Sequence, residues 1–275
     1  MPPAHIITPT VIQGARNAVA GAVRSLVDLL MPPACIACKA PVATPLGFCA
    51  DCWSALPAIE GARCLQCSVP LPIAWSTESH CLGCLKDPPR FDRAAAPYRY
   101  EGPARQTVLA FKSGREAYAT QMATAMRQAA PGWVTPETLV AAVPLHRWRL
   151  AARGYNQALL LARAIAEQAG APLDPDLLLR VKATPRTKGL SRQARRRNAE
   201  GAFRIADGGR GRIAGREVIL VDDVMTSGAT ASAAAGVLKR AGAARVSVLI
   251  YARVAATDAH SYVAASVSQE DHGQG

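Results

Sequence analysis

The chain has 275 residues, half of them hydrophobic and only 5% aromatic, which suffices for one α/β domain and a smaller module. Its formal charge of +12 favours anionic partners: phosphates, nucleic acid or acidic lipid. No run of about 20 uninterrupted apolar residues occurs, which excludes an integral helical span and suggests a soluble, cytoplasmic protein.

Residues 11–31 are apolar but interrupted by Arg16, Arg24 and Asp28. Val11, Ala15, Val19, Val23, Leu26, Val27 and Leu30 recur at helical spacing, so residues 1–31 are expected to hold an amphipathic helix rather than an export signal. All eight cysteines follow, as Cys35/Cys38, Cys49/Cys52, Cys64/Cys67 and Cys81/Cys84. Two thiolates three apart on a tight knuckle can face one ion, and a second knuckle completes a tetrahedral four-sulfur zinc site. Ten residues separate the first two pairs and thirteen the last two, which suggests two tandem zinc ribbons within 32–88. A cross-braced pairing, joining the first pair to the third, is the alternative. Redox motifs usually come singly, and a disulfide scaffold needs an oxidising compartment. An iron–sulfur cluster is compatible with the spacing, but spacing and context favour about two structural zinc ions.

Pro88-Pro89 closes this region. Strands are expected at 98–100, 139–144, 218–221 and 243–254, and helices at 104–112, 115–130, 156–169 and 231–241. Such alternation implies a parallel sheet with crossover helices, and ligands in such sheets bind beyond the carboxyl ends of strands. Two loops leave strands at that edge. The first, 145–157, carries His146, Arg147, Arg149 and Arg153. The second follows the strand Val218-Ile219-Leu220-Val221 and reads Asp222-Asp223-Val224-Met225-Thr226-Ser227-Gly228-Ala229-Thr230. Carboxylates accept hydroxyl protons from a ribose diol. A small turn opening a helix presents free N–H groups and the positive end of the macrodipole to a phosphate. Together they describe a ribose 5-phosphate pocket. Between Arg180 and Arg204 lie nine basic residues and one acid, Glu200. This segment reads as a lid over pyrophosphate, a nucleic-acid surface or a solvated basic face. The tail 264–275 is polar and expected to be disordered.

The Asp222–Thr230 loop resembles the phosphoribosyl-pyrophosphate (PRPP) motif of type I phosphoribosyltransferases. With the four cysteine pairs, Pro144-Leu145-His146, Arg153-Gly154-Tyr155-Asn156-Gln157 and the basic Gln/Arg/Asn segment, the chain resembles the ComF family. The resemblance implies an α/β fold: a type I phosphoribosyltransferase-like parallel sheet flanked by helices over 89–263, preceded by a double zinc ribbon. It implies that Asp222 and Asp223 act on the ribose hydroxyls as the catalytic pair. Thr226, Ser227, Gly228, Ala229 and Thr230 would cradle the 5′-phosphate, and Arg147, Arg149 and Arg153 would meet pyrophosphate, with Mg2+ accompanying PRPP. The implied partners are PRPP or a related ribose 5-phosphate ligand, single-stranded DNA, and competence helicase or membrane machinery. Two function classes follow: an accessory protein of DNA uptake that uses the pocket to bind a ligand, and an active transferase of nucleotide metabolism with an unidentified acceptor.

Overall fold

The computed structural model describes residues 32–72, 79–183 and 192–254, with the side chains of Arg149, Arg192 and Gln193 excepted. The helix expected in 1–31, the segment Pro185–Gly189 and the tail 264–275 lie outside the described residues. The chain divides into two compact units, Met1–Ser54 and Ala55–Gly275.

The described part of the first unit is a cysteine knuckle followed by the short helix α1 (Ala50–Ser54). In the knuckle the Cys35 amide donates to the Ala40 carbonyl (2.7 Å), and Lys39 takes a positive φ of 72°. An isolated bridge joins Ala34 to Pro41. The second unit opens on a copy of that knuckle. The Cys64 amide donates to Val69 (2.9 Å), Ser68 has φ 57°, and Arg63 bridges Pro70. The helix α2 (Leu82–Lys86) closes it.

The rest of the second unit is built on five parallel strands. β1 (Arg93–Ala95) and β2 (Tyr98–Arg99) both pair with β7 (Arg245–Arg253). β7 pairs with β6 (Glu217–Met225), and β6 with β3 (Leu139–Ala142). Val218 to Val221 and Val248 to Ile250 are fully buried, as expected of a parallel sheet covered on both faces. The covering helices include α3 (Gly102–Lys112), α4 (Tyr118–Gln128), α6 (Gln157–Ala169) and α9 (Ala229–Arg240). α4 and α6 pack on each other and on the sheet, and α9 packs on β6 and β7. No helix among the described residues is long and apolar enough to cross a membrane.

Four details depart from the sequence expectation. The 145–157 loop contains a helix, α5 (Arg147–Arg153), ended by Gly154 at φ 82°. Its residues are good helix formers, a local preference that its position directly after a strand disguises. β6 continues past Val221 to Met225, because β7 is long enough to pair through Met225↔Arg253, so both acids lie within the strand. α9 starts at Ala229, two residues early. The basic segment leaves and re-enters through a separate antiparallel pair, β4 (Leu178–Arg180) and β5 (Phe203–Ile205), too short to show a period of two. Between them stands α7 (Arg192–Ala199), which packs against α9. The short helix α8 (Gly209–Ile213) then leads back to β6.

Candidate functional site

The cysteines form two separate tetrads, Cys35/Cys38/Cys49/Cys52 and Cys64/Cys67/Cys81/Cys84, with the four sulfurs of each within 4.8 Å of one another. This is the tandem pairing, not the cross-braced one. Sulfurs at about 2.3 Å from a tetrahedral zinc stand about 3.8 Å apart. Cys38 Sγ to Cys49 Sγ and Cys67 Sγ to Cys81 Sγ are each 3.6 Å. Each tetrad takes one pair from a knuckle and one from the start of a short helix, and each is consistent with a structural zinc ion. Crowding of thiols at this range splits their acidities. Hydrogen bonds from Cys67, Cys81 and Cys84 hold Cys64 far below the usual thiol range, while Cys64 and Cys67 push Cys84 far above it. A divalent cation resolves that conflict by stabilising all four thiolates.

The second feature lies at the carboxyl end of β6. Asp222 borders a small cavity of about 40 Å3 shared with Thr226, Gly228, Ala229 and Thr230. Its Oδ1 accepts from the Asp223 amide at 2.9 Å. Burial first, and then the charge of Asp223, push the Asp222 carboxyl up to about 8. Asp223 is differently placed: Lys112 Nζ lies 2.7 Å from its Oδ2. The turn that follows needs a left-handed residue, and Gly228 supplies it at φ 77° as the N-cap of α9. A Cβ there would meet Met225 Sδ at 3.4 Å and Phe91 at 3.7 Å, so this glycine serves the conformation and its packing side is the core. Gly228 has no side chain to cap the helix, which leaves first-turn N–H groups of α9 without intrahelical partners.

Sequence reasoning missed two cations. Lys112 ends α3, and nothing local in Phe111-Lys112-Ser113 points to Asp223. The family string supplies an indirect signal. Tyr155 Oη donates to the Phe111 carbonyl (2.5 Å) and accepts from the Gly114 amide (2.9 Å), pinning the end of α3 that carries Lys112. In the same string Asn156 caps α6 by accepting from the Ala158 amide (3.1 Å). The second cation is Arg253, 4% exposed at the end of β7. Its guanidinium donates to the carbonyls of Cys67 (3.0 Å), Met225 (3.1 Å), Thr226 and Val254 (2.7 Å).

The arginines expected at pyrophosphate are on the same sheet edge, because β3 lies beside β6 and the Val143 amide donates to Val221 (2.9 Å). Of the described side chains, Arg147 and Arg153 are not gathered onto the acids. Arg147 lies over the Trp148 ring at 5.4 Å, and Arg153 donates to Gln157 Oε1 at 2.9 Å. Neither pairs with Asp222 or Asp223. From the basic segment, Arg196 pairs with Asp87 and borders a shallow cleft with Ser227, Gly228 and Ala229.

Comparison with known proteins agrees with this two-part construction. Residues 26–85 match the double zinc ribbon domain model, and residues 156–273 match the phosphoribosyl transferase domain model. The DNA utilization protein YhgH of Escherichia coli is 30% identical over 233 residues, covering 80% of this chain and 96% of that protein. Its Salmonella typhi counterpart is 32% identical over 228 residues, with the same coverages. Competence protein F of Haemophilus influenzae is 32% identical over 181 residues, covering 63% of this chain and 78% of that protein. Among solved structures, the allosteric regulatory enzyme of purine biosynthesis is 22% identical over 49% of this chain and 25% of its own, at a TM-score of 0.34, a likeness too slight to bear on function. Both modules match in this order, and nearly the whole length of the Escherichia coli protein is spanned: the chain belongs to the ComF family, a double zinc ribbon joined to a phosphoribosyltransferase domain.

Proposed function

We propose that the β6–α9 loop binds a ribose 5-phosphate ligand of the PRPP type together with Mg2+, and that the protein uses this pocket in handling single-stranded DNA. The observation that carries the reading is the order acid, acid, left-handed glycine, helix, at the carboxyl end of a buried strand and bordering a cavity. In this reading Asp222 hydrogen-bonds the ribose diol and Thr226 to Thr230 receive the 5′-phosphate on hydroxyls and first-turn N–H groups. Lys112, 2.7 Å from Asp223 Oδ2, fixes that side chain in direction. Magnesium, when bound with pyrophosphate, would neutralise charge on that group as it leaves the ribose. Arg147, Arg149 and Arg153, carried on α5 at the same sheet edge, are the cations this reading assigns to pyrophosphate.

The link to DNA is drawn from the names of the Escherichia coli and Haemophilus relatives and is supported by two features of this chain. The basic helix α7 stands beside the loop, and Trp148, 68% exposed next to Arg147, offers a stacking face to a base. The same face suits the acceptor base of a working transferase. Calorimetry with PRPP and MgCl2 tests the pocket: the wild type should bind, and Asp222→Asn/Asp223→Asn should not. Equal affinity in a folded double variant refutes the assignment. Pyrophosphate release from PRPP with a defined acceptor would establish turnover; its absence across acceptors, with DNA binding retained, leaves the accessory role.

A further inference from the structure

Arg253 is a buried cation that no carboxylate among the described residues answers. A guanidinium removed from water is destabilising unless its donors are satisfied and its charge compensated. Its donors are satisfied by carbonyls of two different structures. On one side are Met225 and Thr226, the residues that lead into the Gly228 turn. On the other is Cys67, whose carbonyl accepts from Nε at 3.0 Å and whose sulfur lies 3.7 Å from Nη2. Cys67 is a member of the second cysteine tetrad, all four members of which are buried. A divalent ion held by four thiolates would leave a net negative centre and would supply the compensating charge that the carbonyls cannot. The knuckle and the phosphate loop thus share one side chain, and Arg253 is fixed by the backbone register of β7 against β6 at Met225.

We propose that Arg253 is a positioning residue through which the metal of the second tetrad sets the conformation of the phosphate loop. Metal in that tetrad holds Cys67, Cys67 holds the guanidinium, and the guanidinium holds the Met225 and Thr226 carbonyls so that Gly228 and the first turn of α9 keep the shape that receives phosphate. This rests on the reading of the loop as a PRPP-type site, and it adds a regulation to that site: ligand binding is conditional on zinc in one ribbon.

The test uses the full chain and three readouts: zinc content by elemental analysis, affinity for PRPP with MgCl2 by calorimetry, and hydrogen exchange of the amides of 225–229. Arg253→Met should keep about two zinc ions. It should lose about tenfold or more in affinity, as expected for charge-assisted hydrogen bonds withdrawn from the loop, and exchange faster at 225–229. Arg253→Lys should restore part of the affinity, since an ammonium can still reach loop carbonyls but lacks the planar fork that also reaches Cys67. Cys84→Ser should lose one zinc, accelerate loop exchange more than Cys38→Ser does, and show little further loss when combined with Arg253→Met. Unchanged exchange and affinity in Arg253→Met, or in Cys84→Ser with one zinc gone, overturns the proposal. If Cys84→Ser does not fold, the Met and Lys variants of Arg253 decide it. If the wild type does not bind PRPP, the proposed ligand is wrong, and the exchange comparison still decides whether the metal sets the loop.

Discussion

At the scale of single residues, the two adjacent aspartates are not equivalent. Asp222 borders the cavity with its acidity weakened by burial and by Asp223, whereas Asp223 is paired with Lys112. A carboxyl whose folded value is raised to about 8 binds more protons in the native state than in the unfolded one. Its contribution to stability therefore falls as pH rises from about 4, the usual value for Asp, through about 8, the folded value. Asp222→Asn should flatten that fall: thermal unfolding at pH 5 and pH 9 should differ less in the variant than in the wild type, while PRPP binding is lost. An equal or steeper pH dependence in the variant would show that the carboxyl is not held protonated. Gly228→Val tests a separate residue. The left-handed φ of 77° opposes any β-branched side chain, so the variant should unfold with about 1–3 kcal/mol less stability and lose ligand affinity. Denaturant melts and calorimetry on one preparation check both.

At the scale of elements, α7 combines two surfaces. Arg196 is tied to Asp87 and donates to the Pro88 carbonyl (3.4 Å) at the outer wall of the phosphate loop, while Arg197 is exposed. Arg197→Glu should lower single-stranded DNA affinity and flatten its salt dependence, by roughly 0.7 in log–log slope for each phosphate the helix no longer neutralises, with PRPP binding kept. Arg196→Glu should lower both affinities. Filter binding across salt concentrations and calorimetry separate them, and identical behaviour of the two variants would remove the division of labour. The elements also show which features were legible in the chain. The β6–α9 loop was legible because its chemistry is contiguous: strand, acids, small turn and helix follow one another within fourteen residues, Glu217 to Thr230. The cysteine tetrads were legible because knuckle spacing is a local constraint, and the alternation of strands and helices pointed to the parallel sheet. Lys112 and Arg253 were not, because their partners come from distant chain segments; Arg253 and Cys67 are 186 residues apart. The β4–β5 pair escaped notice because three-residue strands display too little alternation against a strongly charged background.

At the scale of the whole molecule, the front of the chain carries cysteine tetrads suited to metal and the rest has a sheet core of its own. Elemental analysis should give about two zinc ions per chain, and iron with visible absorption would overturn the zinc reading. Cys38→Ser should release one of them and destabilise chiefly the first compact unit, whose described part has little apolar burial beyond Cys35, Ile36 and Cys52. Limited proteolysis of this variant should cleave ahead of residue 55 and spare the sheet.

The two knuckles share one backbone pattern yet differ in shelter. Cys38 is exposed and Cys49 half-buried, whereas Cys64, Cys67, Cys81 and Cys84 are all buried. A chelator or oxidant must reach a sulfur before a Zn–S bond can be exchanged, so the two ions should leave on different timescales. The ion of the front tetrad should exchange first and that of the rear tetrad last. Metal release into a chromogenic chelator should accordingly be biphasic with equal amplitudes, the fast phase vanishing in Cys38→Ser.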